Sequence, residues 1–236
     1  MMPESRSLQA IIFDFDGVIA NSEPLHLKAF QDALADEGIE LSSDEYYRRY
    51  LGYDDMGLLQ ALVRDRELNW GGRQINDMMS HKARRLERML QGGEVLFPGA
   101  ADFIRKAAAT VPIAIASGAL RHEIMEILEG AQLDRMFATI VASGDTPQSK
   151  PSPAPYMLAY ERLGQITALD LERTRIVAIE DSRWGLESAR GAGLRCVGVT
   201  TSYSAEELAG SDLVVSGLNA LTIEALDGLC NAQGTR

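Results

Sequence analysis

Long hydrophobic runs are missing from this sequence, and cysteine is scarce. No stretch approaches the roughly 20 apolar residues that a membrane-spanning helix needs, and the opening segment MMPESRSLQA has no apolar run of the kind found in signal peptides. The two cysteines, Cys196 and Cys230, suggest neither a disulfide framework nor a cysteine metal site. Internal repeats and low-complexity tracts are also lacking. We therefore expect a soluble, cytoplasmic protein.

Positive charge is in short supply. Of the 236 residues, 23 are basic and 34 are acidic, which gives a formal net charge of −11. Such an acidic chain is poorly suited to nucleic acid or to an anionic membrane, so neither is expected as a partner. If the protein handles an anionic substrate, the positive charge must come locally, from a metal ion or a placed lysine. The length allows one large domain, or one domain with a smaller insertion.

Strand-like and helix-like segments alternate through most of the chain. Apolar runs typical of buried strands lie at 8–15, 111–117, 137–143, 175–180, 195–200 and 213–216. Helical spacing lies at 121–130, 154–164, 182–193, 204–209 and 219–228. This alternation predicts an α/β fold with a parallel sheet covered by helices on both faces.

The segment between the first two strands has a different texture. It carries helical spacing and many charges at 23–37, 43–50, 55–67 and 73–91, and a linker with three glycines and a proline follows at 91–99. We infer an all-helical insertion of about residues 21–92 within an α/β core formed by 1–20 and 93–236.

Two acidic pairs follow predicted strands. Asp14 and Asp16 come at the end of the first strand, and Glu180 and Asp181 come at the end of the strand RIVAI. In a parallel sheet ligands bind at the carboxyl ends of the strands, where crowded carboxylates repel unless a cation such as Mg²⁺ lies between them. The alternative readings are turn residues for the first pair, and a helix N-cap at Asp181 or Ser182 for the second.

A hydroxyl and a lysine follow two further strands. Ser117 and Gly118 precede a predicted helix, where backbone N–H groups and a hydroxyl can bind an anion; an ordinary N-cap is the alternative. Lys150 lies in the proline-rich segment DTPQSKPSPAPY, and prolines stiffen a chain enough to aim a lysine at a fixed target. Its alternative reading is a solvated surface lysine.

Together these segments resemble the haloacid dehalogenase-like hydrolase superfamily, and within it the β-phosphoglucomutase and phosphoglycolate phosphatase branch. The resemblance is carried by FDFDGVIANSEPLH, IASG, SKPSPAPY and IEDSRWGLESARGAG, in the family's order, between about residues 11 and 200. It implies a Rossmann-like parallel sheet core with an inserted helical cap domain.

The resemblance also implies a role for each core residue. Asp14 would attack a phosphoryl group to give an aspartyl-phosphate, and Asp16 would protonate the leaving alcohol and then activate water. Mg²⁺ would be held by Asp14, by the backbone carbonyl of Asp16 and by Asp181, with Glu180 binding directly or through water. The phosphoryl oxygens would be held by Ser117, with Gly118, and by Lys150.

The cap would contribute substrate contacts. Ser22 and His26 match the stretch where the family's cap begins, Gly52 lies in the cap loop LGYDDM, and Lys82 falls where cap helices of this branch place a substrate-facing lysine. For His26 a packing role, and for Lys82 a solvated basic face, are the alternatives. The loop carries Asp54 and Asp55 where the mutase has an arginine for a second phosphate, which argues against mutase activity.

The sequence therefore predicts a Mg²⁺-dependent phosphatase that acts on a small phosphorylated metabolite, a sugar phosphate or short phospho-acid. A phosphosugar mutase and a catalytically idle binding protein on the same fold are the alternatives. The expected assembly is a monomer or a small homo-oligomer.

Overall fold

The computed structural model describes residues 7–51, 53, 55–90 and 95–231. The chain divides into two compact units, one formed by residues 1–21 and 95–236 and the other by residues 22–94. The first unit contains the sheet, and the second is helical. None of the described helices is long and apolar enough to cross a membrane.

The sheet has six parallel strands among the described residues. The strands are β1 (Ala10–Phe13), β2 (Ile113–Ala116), β3 (Thr139–Val141), β4 (Ile176–Glu180), β5 (Arg195–Val199) and β6 (Leu213–Val215). Their order across the sheet is β3-β2-β1-β4-β5-β6, and every neighbouring pair is parallel. The predicted α/β fold with a parallel sheet is confirmed, and each predicted strand is present.

Side chains of β1 alternate between two covered faces. Ile12 packs in one core together with Tyr156 and Leu186, which lie on the helices that follow β3 and β4. On the opposite face, the ring of Phe13 meets Phe103 at 6.2 Å and Phe137 at 6.1 Å, in edge-to-face geometry. Because both faces are buried, β1 is apolar at every position.

The α-helices of the described residues belong to both units. They are α1 (Glu23–Ala35), α2 (Ser43–Glu45), α3 (Asp55–Asp65), α4 (Gly72–Leu90), α5 (Ala100–Ala108), α6 (Arg121–Gly130), α7 (Ala154–Thr167), α8 (Arg183–Gly191) and α9 (Ile223–Asn231). A π-helical turn at Tyr46–Tyr50 follows α2.

Two segments differ from the helices predicted for the core unit. Helix α5 was not predicted, although its buried residues Ala100, Phe103, Ile104 and Ala107 have helical spacing. The helix predicted at 204–209 is wrong, because this segment forms turns. Ser204 and Glu207 form reciprocal capping hydrogen bonds of the kind found at a helix start. Gly210 lies only three residues after Glu207, and the segment ends after a single turn.

The helical unit has its own apolar core. Helices α1 and α4 pack against each other, and α1, α3 and α4 bury side chains that include Phe30, Leu59 and Met78. Tyr46 lies in the same core and donates its hydroxyl to Glu23 at 2.5 Å.

Candidate active site

The end of β1 places Asp14 beside a tight turn. Phe15 accepts backbone hydrogen bonds from Ile19 and Ala20, and Gly17 adopts a φ of +76° that an L side chain rarely takes. The amide of Phe15 donates to Asp14 Oδ1 at 2.7 Å. The turn thereby holds the Asp14 carboxylate at the carboxyl end of the sheet.

The end of β4 brings the second acidic pair to the same edge. Strands β1 and β4 are neighbours, and Phe13 lies opposite Ile179. Asp14 follows Phe13 and Glu180 follows Ile179, so the two acids lie at the same level of the sheet. Ser182 is the N-cap of α8 and accepts from the amide of Gly185 at 3.0 Å. Of the two capping alternatives the structure therefore has Ser182, and the carboxylate of Asp181 is left to the site.

Lys150 joins the two acidic strand ends. Its Nζ lies 2.8 Å from Asp14 Oδ1 and 2.6 Å from Glu180 Oε1, and its side chain is only 13% exposed. The alternative of a solvated surface lysine is wrong. A buried ammonium that contacts two buried carboxylates is well placed to meet an anion that approaches Asp14.

Glu180 is completely buried and accepts hydrogen bonds at both oxygens. Oε1 accepts from Lys150 and, at 2.8 Å, from the hydroxyl of Tyr156. Oε2 accepts from the hydroxyl of Ser182 at 3.1 Å and from its amide at 3.4 Å. These four donors fix the orientation of the carboxylate.

The electrostatics show that the cluster has too much negative charge. Burial, with Asp14 and Glu180 nearby, raises the pKa of Asp181 to about 8. Burial and Asp14 also raise the pKa of Glu180. Burial alone would lower the pKa of Lys150, but its two carboxylate partners outweigh burial and raise this pKa above its usual value. One lysine does not balance three buried acids, so the site favours a further cation.

The donor set fits a magnesium ion. Asp14, Glu180 and Asp181 each offer a carboxylate oxygen, and these oxygens lie within 4.8 Å of one another. Ligand oxygens about 2.1 Å from one Mg²⁺ span up to about 4.2 Å, so a small adjustment brings them to octahedral distances. All three donors are hard oxygens, which suits Mg²⁺ better than a metal that prefers nitrogen or sulfur.

The remaining predicted core residues lie on the same edge of the sheet. Ser117 directly follows β2, the other neighbour of β1, and its hydroxyl accepts from the amide of Ala119 at 3.1 Å. It does not cap α6, whose N-cap is Leu120, so that alternative is wrong. Asp16 lies within the turn after β1 and is half-buried. Gly118 follows Ser117.

Sequence reasoning missed three hydroxyl groups that donate to these acids or to the turn beside Asp14. Ser202, in the loop after β5, donates its hydroxyl to Asp181 Oδ2. Thr201 donates to the carbonyl of Gly17 at 2.5 Å. Tyr156, the third of them, lies inside the quoted segment SKPSPAPY. Polar residues at the end of β5 are the signal that points to the first two.

The predicted cap residues belong to the helical unit. Lys82 has no exposed side-chain surface, so the alternative of a solvated basic face is wrong. Its Nζ contacts both carboxylate oxygens of Asp55, at 2.9 and 2.8 Å, and lies 2.8 Å from His26 Nδ1. Burial, and then Lys82, lowers the pKa of His26 to about 4. Ser22 is buried at the start of this unit.

Gly52 and Asp54, which the sequence placed in the cap loop, lie outside the described residues. The prediction that Gly52 contacts substrate therefore stays a prediction.

Comparison with known proteins gives a consistent result. Residues 11–199 match the family model described as haloacid dehalogenase-like hydrolase. Protein CbbY of Rhodobacter capsulatus is 32% identical over 233 residues, which cover 94% of this chain and 99% of the relative. Phosphoglycolate phosphatase of Yersinia pestis is 26% identical over 209 residues, covering 86% of this chain and 85% of the relative.

A solved structure shows a similar fold. A mutant of CbbY from Rhodobacter sphaeroides, crystallised with xylulose-1,5-bisphosphate, superposes with a TM-score of 0.79 at 29% identity. The superposition covers 93% of this chain and 99% of that one.

Proposed function

The chain belongs to the haloacid dehalogenase-like hydrolase family, and on that basis we propose that it is a Mg²⁺-dependent phosphatase for a small phosphorylated metabolite. One observation carries the proposal most directly: Lys150 bridges Asp14 and Glu180 beside Asp181, at the carboxyl edge of the sheet. A carboxylate nucleophile, a fixed cation and a cluster of metal-ligating acids are the groups that phosphoryl transfer needs.

Asp14 is the nucleophile of the proposed mechanism. Its carboxylate attacks phosphorus, and the bond from phosphorus to the substrate oxygen breaks to leave an aspartyl-phosphate. Asp16 gives its proton to the departing alcohol. It then takes a proton from the water that attacks the aspartyl-phosphate, which releases inorganic phosphate and restores both carboxyl groups.

Lys150 and Ser117 hold the phosphoryl oxygens during both steps. The ammonium already lies 2.8 Å from Asp14, so it can stabilise the negative charge of the transition state without reorganising. The carboxylates of Asp14 and Asp181 would hold Mg²⁺ with the carbonyl of Asp16, and Glu180 lies within reach. When bound, the ion supplies positive charge that offsets the carboxylates and the phosphoryl group.

The proposed substrate is a sugar phosphate or a short phospho-acid. Two similarities support this class: one relative is named phosphoglycolate phosphatase, and CbbY was crystallised with a sugar bisphosphate. The helical unit is proposed to act as the cap that selects the substrate, with Ser22, His26 and Lys82 as candidate contacts. In this structure the charge of Lys82 is compensated by Asp55. The mutase is not favoured as the function of this chain.

The deciding experiment replaces the nucleophile. Asp14→Asn should abolish Mg²⁺-dependent release of phosphate from p-nitrophenyl phosphate and from a panel of phosphorylated metabolites, while circular dichroism shows an intact fold. Asp32→Asn makes the same chemical change on the surface of α1, where Asp32 pairs with Lys28, and should retain full activity. Unchanged turnover in Asp14→Asn would refute the mechanism. An inactive wild-type protein across the panel would favour the idle binding protein.

A further inference from the structure

We propose that Tyr156 is a positioning residue for this site: its hydroxyl orients Glu180, so that Glu180 holds the ammonium of Lys150 against Asp14 instead of binding the metal directly. The inference rests on the proposed function and assigns separate tasks to the three acids of the cluster. Asp14 and Asp181 serve the metal, and Glu180 serves the lysine.

Tyr156 reaches the site from the helix that follows Lys150. It lies in the first turn of α7, which begins four residues after Lys150, and it has no exposed surface. Its hydroxyl donates to Glu180 Oε1 at 2.8 Å, and Lys150 Nζ lies 5.2 Å from the centre of its ring. The same side chain therefore contacts both members of the Lys150–Glu180 pair, through its hydroxyl and through its ring face.

The hydrogen bonds of Glu180 leave little capacity for a metal. A carboxylate oxygen has two lone-pair directions, and each oxygen of Glu180 already accepts two donors: Lys150 and Tyr156 at Oε1, and the amide and hydroxyl of Ser182 at Oε2. The carboxylate also lies against the backbone of α8, since a Cβ on Gly185 would be 1.9 Å from its Cδ. Direct ligation would have to break one of these contacts.

Asp181 has the opposite character. Its Oδ2 accepts from Ser202, and the cap of α8 is supplied by Ser182 rather than by Asp181. The carboxylate of Glu180 accepts four hydrogen bonds and that of Asp181 accepts the one from Ser202. This difference assigns direct metal ligation to Asp181.

The test compares two tyrosines of the same helix. Tyr160 lies one turn after Tyr156, donates its hydroxyl to the carbonyl of Leu171 at 2.8 Å and also has a cation over its ring, Arg173 at 5.0 Å. Tyr160→Phe therefore removes the same atom, and one hydrogen bond, from a half-buried position outside the site. Each variant is assayed for kcat and KM with p-nitrophenyl phosphate, for Mg²⁺ affinity by calorimetry with the metal alone, and for melting temperature.

We expect Tyr156→Phe to lower kcat about tenfold or more, because Lys150 loses its fixed position, while its Mg²⁺ affinity stays within about threefold of the wild type. Tyr160→Phe should match the wild type in kcat and in Mg²⁺ affinity. Equal kcat in the two variants, with an active wild type, would overturn the proposal and leave Tyr156 with a packing role.

A second variant tests the role of Glu180 even if Tyr156→Phe folds poorly. Glu180→Gln should lower kcat and leave Mg²⁺ affinity nearly unchanged, whereas Asp181→Asn should lower Mg²⁺ affinity by at least tenfold. A loss of Mg²⁺ affinity in Glu180→Gln equal to that in Asp181→Asn would make Glu180 a direct ligand and overturn the proposal. A wild-type protein that releases no phosphate would instead refute the proposed function.

Discussion

Replacement of Gly17 by alanine tests how closely the turn after β1 is fitted to the acidic cluster. A Cβ on Gly17 would lie 1.9 Å from Asp181 Oδ2 and 2.4 Å from its Cγ. Since Cβ contacts below 3.0 Å are essentially never seen, the carboxylate must retreat by about 1 Å, and such a misplacement in a catalytic site costs about 100-fold in rate. Asp181 cannot move freely, because it is buried and Ser202 holds its Oδ2.

The backbone cost of this change can be separated from its effect on the site. Gly17 has a φ of +76°, and Gly38 in the helical unit has a φ of +69° with nothing within 4 Å of an added Cβ. The left-handed backbone should therefore cost each alanine variant about 1–2 kcal/mol of unfolding free energy, and Gly17→Ala bears in addition the cost of displacing Asp181. For a chain of this size the backbone cost alone lowers the melting temperature by about 2–8 °C.

Only Gly17→Ala should lose function. We expect its phosphate release to fall about 100-fold and its Mg²⁺ affinity to fall about 10- to 100-fold, measured by phosphate-release assay and by calorimetry. Gly38→Ala should keep both values. If Gly17→Ala retained the rate and the Mg²⁺ affinity of the wild type within about twofold, then Asp181 would not lie against this turn, and the geometry proposed for the metal site would be refuted.

Two further predictions concern the buried cluster of the helical unit. The pKa of His26 is lowered from 6.5 to about 4, so the unfolded chain binds a proton more readily between these values. The unfolding free energy should therefore be about 2 kcal/mol lower at pH 5 than at pH 7 because of this residue. Unfolding free energies measured by urea denaturation at pH 5 and pH 7 should lack this difference in His26→Gln and keep it in His122→Gln. An equal change of unfolding free energy with pH in the two variants would contradict the prediction. Asp55→Asn leaves the ammonium of Lys82 buried without its carboxylate and should lower the unfolding free energy by about 3–5 kcal/mol. Asp32→Asn, at a half-buried surface pair with Lys28, should lower it by less than about 1 kcal/mol. Equal losses in denaturant unfolding would contradict this difference.

The parts of the fold that follow from local pattern could be predicted. Each strand is a short apolar run, and the acids after β1 and β4 were expected at one edge because parallel strands end on the same side. The structure brings Asp14, Glu180 and Asp181 together. Lys150 could be singled out because its neighbours restrict the chain, although the identity of its two partners could not.

The strand order could not be read from the pattern. The pairing of β1 with β4 places Ala10 opposite Ile176. The hydrophobic pattern of a strand shows that it is buried, but it does not show which distant strand lies beside it. The hydroxyls of Tyr156 and Ser202 were missed for a related reason: serine and tyrosine are common in loops and helices, and only the folded chain shows which carboxylate each one meets. Helix α5 was missed despite a readable pattern, since its alanines are weak markers of a buried face.

The strand order also has a consequence for synthesis on the ribosome. β1 is made first, yet its neighbours β2 and β4 begin only at Ile113 and Ile176. The nascent chain therefore carries β1 without a partner for about the first half of translation, and without its second partner for about three quarters of it. The helical unit, whose partners are close in sequence, can fold during that interval. Asp14 gains its acidic neighbours only after Asp181 has been made, so the proposed metal site cannot assemble before the final quarter of the chain is translated.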